Sequence, residues 1–219
     1  MNIKELFRMI DEVASPRGYV KPGFSKYHVY LALIELGFKG PLGRKSLASI
    51  LGIGEGSVRT LIKRLLSFEL VTIDNVAGVL LTEKGVKAFN LLKDVLVLVG
   101  SFDFNGCEFC RDCRLSIIIL RRGVELIKLF GGVLVVRDLI VKYGGVGSII
   151  LYYINDGLRL PDSKELHSID SGSVLIKLVE GFNISNGDSV LVAMCNKGDD
   201  NCLRYVVEAT LDIVKVVGN

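Results

Sequence analysis

The first half of the chain carries apolar residues at helical spacing, then at the spacing of two short strands, and then again at helical spacing. One apolar helical face is found in each of residues 2–14, 25–36, 44–51 and 55–68. Residues 70–73 and 79–82 are typical of strands joined by a hairpin turn, and a further helix is predicted from Thr82. Gly37 is placed as the C-terminal stop of the second helix. This order of elements predicts a winged helix-turn-helix.

The second half has a different pattern, in which strands alternate with helices. Strands are predicted at residues 115–120, 148–153, 157–160 and 189–195, and helices at residues 133–142, 173–182 and 201–217. Asn155, Asp156 and Gly157 predict a hairpin turn between two of these strands. The fold class that follows is α+β: an N-terminal winged helix-turn-helix and then a two-layer α/β sandwich domain with a mostly antiparallel sheet.

A domain boundary is predicted within residues 93–104, where the first pattern ends. Gly100 and Ser101 break the apolar run that begins at Val95. The length of 219 residues suits two small domains of about 100 residues each. We therefore assign residues 1–96 to the winged helix-turn-helix with an N-terminal helical extension, and residues 97–219 to the second domain.

Composition and charge favour a folded protein whose contact with a polyanion lies in the first half. Hydrophobic residues make up 50% of the chain and charged residues 23%, as in domains with a sizeable core. Residues 26–94 hold ten Lys/Arg and six Asp/Glu, whereas residues 95–219 hold thirteen and fifteen. Every apolar run is shorter than the roughly 18 residues of a membrane span, and the first residues lack the pattern of a leader. We expect a cytoplasmic protein without membrane contact.

The helix predicted at residues 55–68 has the two faces that a DNA recognition helix needs. Val58, Leu61 and Leu65 belong to its apolar stripe, and the opposite arc is polar. Polar side chains on such an arc can reach phosphates and base edges in the major groove, and the first amides of the helix can hold a phosphate. We predict that double-stranded DNA contacts Arg44, Lys45, Ser57, Arg59, Thr60, Lys63 and Arg64. The alternative is an ordinary solvated helix face.

These segments resemble an uncharacterised archaeal family with an N-terminal winged helix. The resemblance rests on GPLGRK at residues 40–45, LGIGEGSVRTL at residues 51–61 and LTEKG at residues 81–85. It implies a C-terminal two-layer α+β domain similar to the insertion domain of bacterial-type aspartyl-tRNA synthetases. It implies no catalytic residues and no known ligand. A cysteine-bearing insert before the first predicted strand of the second domain departs from the family pattern.

That insert contains Cys107, Cys110 and Cys113, which form two successive C-x2-C spacings. Three thiolates at this spacing can bind one zinc ion or one iron–sulfur cluster, and both normally take four ligands. Cys195 or Cys202 can supply a fourth ligand if the strand that ends at Cys195 lies beside the insert. The alternatives are that these cysteines form a disulfide or remain free thiols. All three stay open, and no metal ligand is assigned.

The remaining chemically active residues form no catalytic pattern. His28 lies inside a predicted helix, and His167 lies in a predicted loop with no histidine or cysteine at ligand spacing. The glycines of residues 52–56 follow a helix, whereas a nucleotide-binding loop follows a strand. We therefore expect no enzymatic activity and no cofactor.

The function predicted from the sequence is that of a DNA-binding transcriptional regulator. It would bind as a homodimer, and its second domain would dimerise, sense a small-molecule effector, or do both. The apolar helix at residues 201–217 is a candidate dimer surface, although burial in its own sheet explains the pattern equally well. The alternative is a protein-interaction or RNA-associated winged-helix module with no regulatory ligand. An enzyme with its site in the second domain is the third hypothesis.

Overall fold

The computed structural model describes residues 1–107, 109–161, 166–170 and 172–217, which form two compact units. The first unit spans residues 1–94 and the second spans residues 95–217. The predicted domain boundary, between residues 96 and 97, lies two residues C-terminal to the division between these two units. Residues 218 and 219 of the predicted second domain lie outside the described residues. In the described part of the chain, no helix is long and apolar enough to cross a membrane.

The first unit consists of helices and one two-stranded hairpin. Its elements are α1 (Ile3–Ala14), α2 (Lys26–Lys39), α3 (Arg44–Leu51), α4 (Glu55–Ser67), β1 (Val71–Asp74), β2 (Gly78–Leu81) and α5 (Glu83–Val95). β1 and β2 pair antiparallel, with Val71 opposite Leu81. Leu42, which precedes α3, extends this hairpin because its N–H and C=O each bond to the backbone of Val79 at 2.9 Å. The predicted order of helices and hairpin is confirmed.

The core of the first unit is formed by the apolar faces of the helices, as the spacing of apolar residues predicted. Val58, Leu61 and Leu65 of α4 are at most 1% exposed. α1 contacts both α2 and α4, and α3 contacts the same two helices. α1 and α3 therefore both pack against α4, and the polar arc of α4 is the face that stays exposed.

Gly37 does not end α2, which continues to Lys39. A Cβ atom at Gly37 would lie 2.2 Å from Cδ2 of Phe89, so the absent side chain makes room for the ring of Phe89 on α5. The same ring lies edge-on to Phe38, with 5.0 Å between the ring centroids. The prediction of a helix stop at Gly37 was wrong, because this glycine leaves space for the Phe89 ring against α2.

The second unit is a six-stranded sheet with helices on it. Its elements are β3 (Leu96–Phe104), β4 (Cys113–Leu120), α6 (Gly123–Phe130), α7 (Val133–Tyr143), β5 (Gly147–Ile154), β6 (Gly157–Pro161), β7 (Leu166–Ser168), α8 (Val174–Val179), β8 (Ser189–Cys195) and α9 (Cys202–Val217). The strand order is β3-β4-β8-β5-β6-β7, and each neighbouring pair is antiparallel. This confirms the predicted α+β class and its antiparallel sheet.

The two faces of the sheet pack against different helices. Leu115, Ile117 and Ile119 of β4 form one cluster with residues of α8. Because side chains alternate along a strand, the residues between them face the opposite side, where α9 contacts β4 and β8. On α9, Val206, Val207, Leu211 and Val214 are buried. The apolar stripe of α9 is thus explained by packing on its own sheet and does not form a free dimer surface.

Three elements of the second unit were not predicted from the sequence: β3, α6 and β7. β3 runs through the residues that were interpreted as a break, because its pairing with β4 shifts register between Leu98 and Gly100. Such a β-bulge tolerates a glycine inside a strand. Gly100 and Ser101 therefore belong to the sheet, and the interpretation of these residues as an interruption was wrong.

Candidate nucleic-acid interface

Most of the residues predicted to contact DNA are exposed or half-buried in the first unit. Arg59, Thr60 and Lys63 are exposed on α4, and Ser57 is half-buried near its start. Arg44 and Lys45 are exposed at the start of α3. Gly43 and Gly54, which precede α3 and α4, offer no side chain to cap the first amides of either helix. Those amides are the groups that bind phosphate at many helix N-termini.

A groove of about 400 Å³ lies between α4 and the β1–β2 hairpin. Its lining residues are Arg44, Arg59, Ile62, Lys63, Leu66, Ile73, Asp74, Asn75, Gly78 and Val79. The structure therefore brings together three of the predicted cations, which come from two different helices. The hairpin forms the opposite wall, so a ligand in the groove would contact the helix and the hairpin at once.

Asp74 is the acidic residue of this groove, and its contacts give it a structural role. Oδ1 of Asp74 accepts hydrogen bonds from the N–H groups of Ala77 at 2.7 Å and Val76 at 2.8 Å. These bonds, with that of Ala77 first, lower the pKa of Asp74 below its usual range. Asp74 thus stays ionised and closes the turn, at whose tip Val76 is 98% exposed.

Arg64 lies inside the first unit and not on the polar arc of α4. It is 5% exposed, and its Nη1 donates to the carbonyl oxygens of Val13 and Ser15, both at 2.6 Å. Its guanidinium carbon lies 5.3 Å from the centroid of the Phe24 ring. Burial, and then the charge of Arg17, lower the pKa of Arg64, although an arginine stays protonated. The prediction of Arg64 as a DNA contact was wrong, because the end of α1 covers this part of α4.

Sequence reasoning missed the segment between α1 and α2, which lies beside the start of α4. A recess of about 280 Å³ is lined by Arg17, Val20, Lys21, Pro22, Gly23, Gly56, Ser57, Thr60 and Arg64. A Cβ atom at Gly23 would lie 2.5 Å from Oγ of Ser57, which shows how closely the segment approaches α4. The recess adds Arg17 and Lys21 to the positive surface. Prolines and glycines at residues 16–23 predicted only a loop, and nothing in that pattern placed it against α4.

A turn within this segment presents an exposed aromatic side chain. The backbones of Arg17 and Val20 exchange two hydrogen bonds, at 3.2 and 3.4 Å. Tyr19 lies within the turn and is fully exposed. Basic residues and exposed aromatic rings both occur on surfaces that bind nucleic acid, where bases can stack on the rings.

The cysteines of the second unit are placed in two separate groups. Cys195 and Cys202 are joined by a disulfide and are buried. Cys195 pairs with Arg114 across β4 and β8, so it lies on the α9 face of the sheet. Cys113 packs in the cluster on the α8 face. Cys195 and Cys202 therefore do not join the cysteine insert, which corrects the interpretation that one of them supplies a fourth ligand.

Two family matches correspond to the two units. Residues 30–87 match the family described as PH0730-like, N-terminal domain, and residues 114–213 match the domain of unknown function DUF4443. Each match covers less than half of the chain, so the chain is similar to these two families over the matched residues. The groove and its cations lie within the segment that is similar to the PH0730-like N-terminal domain. The match to that domain begins at residue 30, after α1 and the segment that carries Arg17 and Lys21.

A solved archaeal structure has the same fold. The hypothetical protein PH0730 from Pyrococcus horikoshii OT3 superimposes with a TM-score of 0.56 at 20% sequence identity. The alignment covers 87% of this chain and 91% of that chain. At this identity the likeness shows the fold alone. The comparison with curated proteins gave no match.

Proposed function

We propose that the first unit binds double-stranded DNA as a winged helix, and that the protein is a transcriptional regulator. The observation that supports this proposal is the groove in which cations of α3 and α4 face the β1–β2 hairpin. A helix of this kind fits the major groove, which is about 12 Å wide. The hairpin would then lie against the adjacent backbone as the wing.

The cations of the groove suit the two kinds of contact that a duplex offers. Arg59 and Lys63 are four residues apart and project from the same face of α4. An arginine there can bond to a guanine edge, while a lysine suits a phosphate. Arg44, at the start of α3, is placed for a second phosphate together with the free amides of that helix. The recess with Arg17 and Lys21 would extend the positive surface beyond the start of α4.

The second unit is proposed to serve dimerisation, effector sensing or both. Large apolar side chains are exposed on two helices that contact each other, α6 and α7: Leu129 is 62% exposed and Leu134 65%, and Val135 and Val141 are also exposed. This patch, and not α9, supports a homodimer. The likeness of the domain to the insertion domain of aspartyl-tRNA synthetases stays a prediction from the sequence. We assign no catalytic step to either domain.

The DNA-binding proposal is tested with single substitutions in the full chain. Arg59→Ala and Lys63→Ala each remove a groove cation, and Lys87→Ala removes an exposed lysine of α5 outside the groove. Binding to a labelled mixed-sequence duplex is measured at several salt concentrations. We expect each groove variant to bind about five-fold more weakly or worse, a loss of about 1 kcal/mol, while Lys87→Ala is unchanged. Loss of a phosphate contact should also reduce the log-log salt slope by about one unit.

Competition and selection separate this proposal from its alternative. Structured RNA and single-stranded DNA should compete poorly with the labelled duplex, and selection from a random duplex pool should return a sequence preference. Equal losses in all three variants would indicate unspecific charge attraction. Preferential displacement by structured RNA would favour the RNA-associated module instead.

A further inference from the structure

The insert between β3 and β4 and the first residue of β4 together bring three cysteine sulfurs close to one another. The Sγ atoms of Cys107, Cys110 and Cys113 all lie within 4.8 Å of one another, and those of Cys107 and Cys110 are 3.3 Å apart. In this structure Cys110 and Cys113 form a disulfide, and Cys107 is a free thiol. The sulfur of Cys110 thus has two neighbouring sulfurs, although a disulfide can engage only one of them.

The backbone holds the three cysteines in place from two sides. Cys107 and Cys110 exchange backbone hydrogen bonds of 2.8 and 3.3 Å, which form a tight turn. Cys113 is the first residue of β4, where it pairs with Phe104 of β3 and is 3% exposed. Two sulfurs are therefore presented by a turn and the third by a sheet, so their convergence is fixed by main-chain bonds.

The surroundings of the cluster hold the insert against the rest of the unit. Lys197, in the segment between β8 and α9, lies 3.4 Å from a carboxylate oxygen of Asp112 and donates a hydrogen bond to Asn105, so it ties the insert to the rest of the unit. Phe109 packs with Cys107 and Cys110 against the buried cluster that contains Cys113.

From this arrangement we propose that reduced Cys107, Cys110 and Cys113 bind one zinc ion. Zinc–sulfur bonds of about 2.3 Å in tetrahedral geometry place two ligand sulfurs about 3.8 Å apart, which small side-chain rotations reach from the observed spacing. A dithiol reductant first gives the disulfide two electrons and two protons. The three thiols then release three protons as they become zinc ligands.

In the part of the chain that the structure describes, three residues are placed to bind the ion, one fewer than a tetrahedral site takes. Among the described residues, no further cysteine, histidine or carboxylate joins the three sulfurs. Cys195 and Cys202 are on the other face of the sheet, joined to each other. A water molecule or another small ligand would complete the coordination, as it does at zinc sites with three protein ligands.

The experiment titrates the reduced full-length protein with Co²⁺ as a spectroscopic probe and then with Zn²⁺. We expect one equivalent of Co²⁺ with sulfur-to-cobalt charge-transfer absorption, and its displacement by one equivalent of Zn²⁺. Loss of a residue that hydrogen-bonds to a metal ligand typically weakens metal binding by about 10- to 100-fold. Because Cys107→Ser and Cys110→Ser each remove a ligand itself, we expect each to weaken metal binding by more than about 100-fold. The matched control is the double variant Cys195→Ala with Cys202→Ala, which should bind the metal as the unaltered protein does.

A second measurement keeps the test valid if a variant fails to fold. The unaltered reduced protein is alkylated with and without Zn²⁺, and the labelled peptides are mapped. Zn²⁺ should protect Cys107, Cys110 and Cys113 from alkylation. The proposal is overturned if the reduced protein takes up no metal, if Cys107→Ser binds it equally well, or if Zn²⁺ protects none of the three thiols.

Discussion

The side chain of Arg64 shows how far the environment of one residue can differ from its place in a helical pattern. The period of α4 puts position 64 near the polar arc, next to Lys63. Its hydrogen-bond acceptors lie 49 and 51 residues earlier in the chain, at Ser15 and Val13. No local pattern contains that information. The apolar stripe and the exposed cations of α4 were predictable from the period, whereas a buried cation was not.

We expect Arg64→Ala to destabilise the first unit by about 2–4 kcal/mol. The substitution removes a buried side chain and leaves the carbonyl of Val13 without its hydrogen bond, and such an orphaned group costs about 1–3 kcal/mol. The loss is measured by urea unfolding of the full chain, followed at the amide signals of α4. Lys63→Ala is the matched control, because its exposed side chain should change stability by less than about 0.5 kcal/mol. Similar values for the two variants would contradict the structural role of Arg64.

Among the elements, those with long and regular patterns were predictable and the irregular ones were not. α4 and the β1–β2 hairpin follow their periods closely, and β8 is a continuous apolar run, as expected for a strand buried on both faces. β3 was missed because a bulge at Gly100 interrupts its alternation, and β7 because it has three residues. α6 was also missed, although it has the same length of eight residues as α3, which was predicted. Of the candidate interface, α3 and α4 were predictable, but the approach of the Arg17 segment depends on tertiary packing.

Two glycines inside helices of the first unit should respond to alanine in opposite ways. Gly37→Ala places a Cβ atom 2.2 Å from the Phe89 ring, so we expect a loss of about 1–3 kcal/mol from overpacking. Gly56→Ala in α4 meets nothing within 4 Å, so helix propensity should stabilise it by up to about 1 kcal/mol. Thermal unfolding by circular dichroism measures both. An unchanged or raised midpoint for Gly37→Ala would contradict the packing of the Phe89 ring against α2.

On the scale of the whole molecule, the change from helix α5 to strand β3 fixes where the chain can be divided. α5 ends at Val95 and β3 begins at Leu96. β3 pairs with β4 along its length, and β4 is almost entirely buried. A division at residue 104 would therefore strip the sheet of a strand, although the sequence alone allowed any boundary within residues 93–104.

We expect fragments 1–95 and 96–219 to fold separately and fragment 105–219 to fail. The third fragment lacks β3, so the backbone of β4 loses one set of partners and its apolar side chains lose their cover. Solubility and cooperative thermal unfolding of the three fragments are the measurements. If the homodimer forms through α6 and α7, fragment 96–219 should sediment as a dimer and fragment 1–95 as a monomer. A stable, cooperative fragment 105–219 would show that β3 is dispensable.

The anchoring of α4 by Arg64 sets a rule for transplanting this domain between proteins. A graft limited to the matched segment, residues 30–87, would carry the cation but not its acceptors at residues 13 and 15. In such a graft Arg64 would lose its two hydrogen-bond acceptors and become exposed near the DNA-binding surface. These hydrogen bonds would then no longer hold α4 in a fixed position. A chimaera that exchanges DNA specificity should therefore begin at residue 1, so that α1 is transferred together with α4.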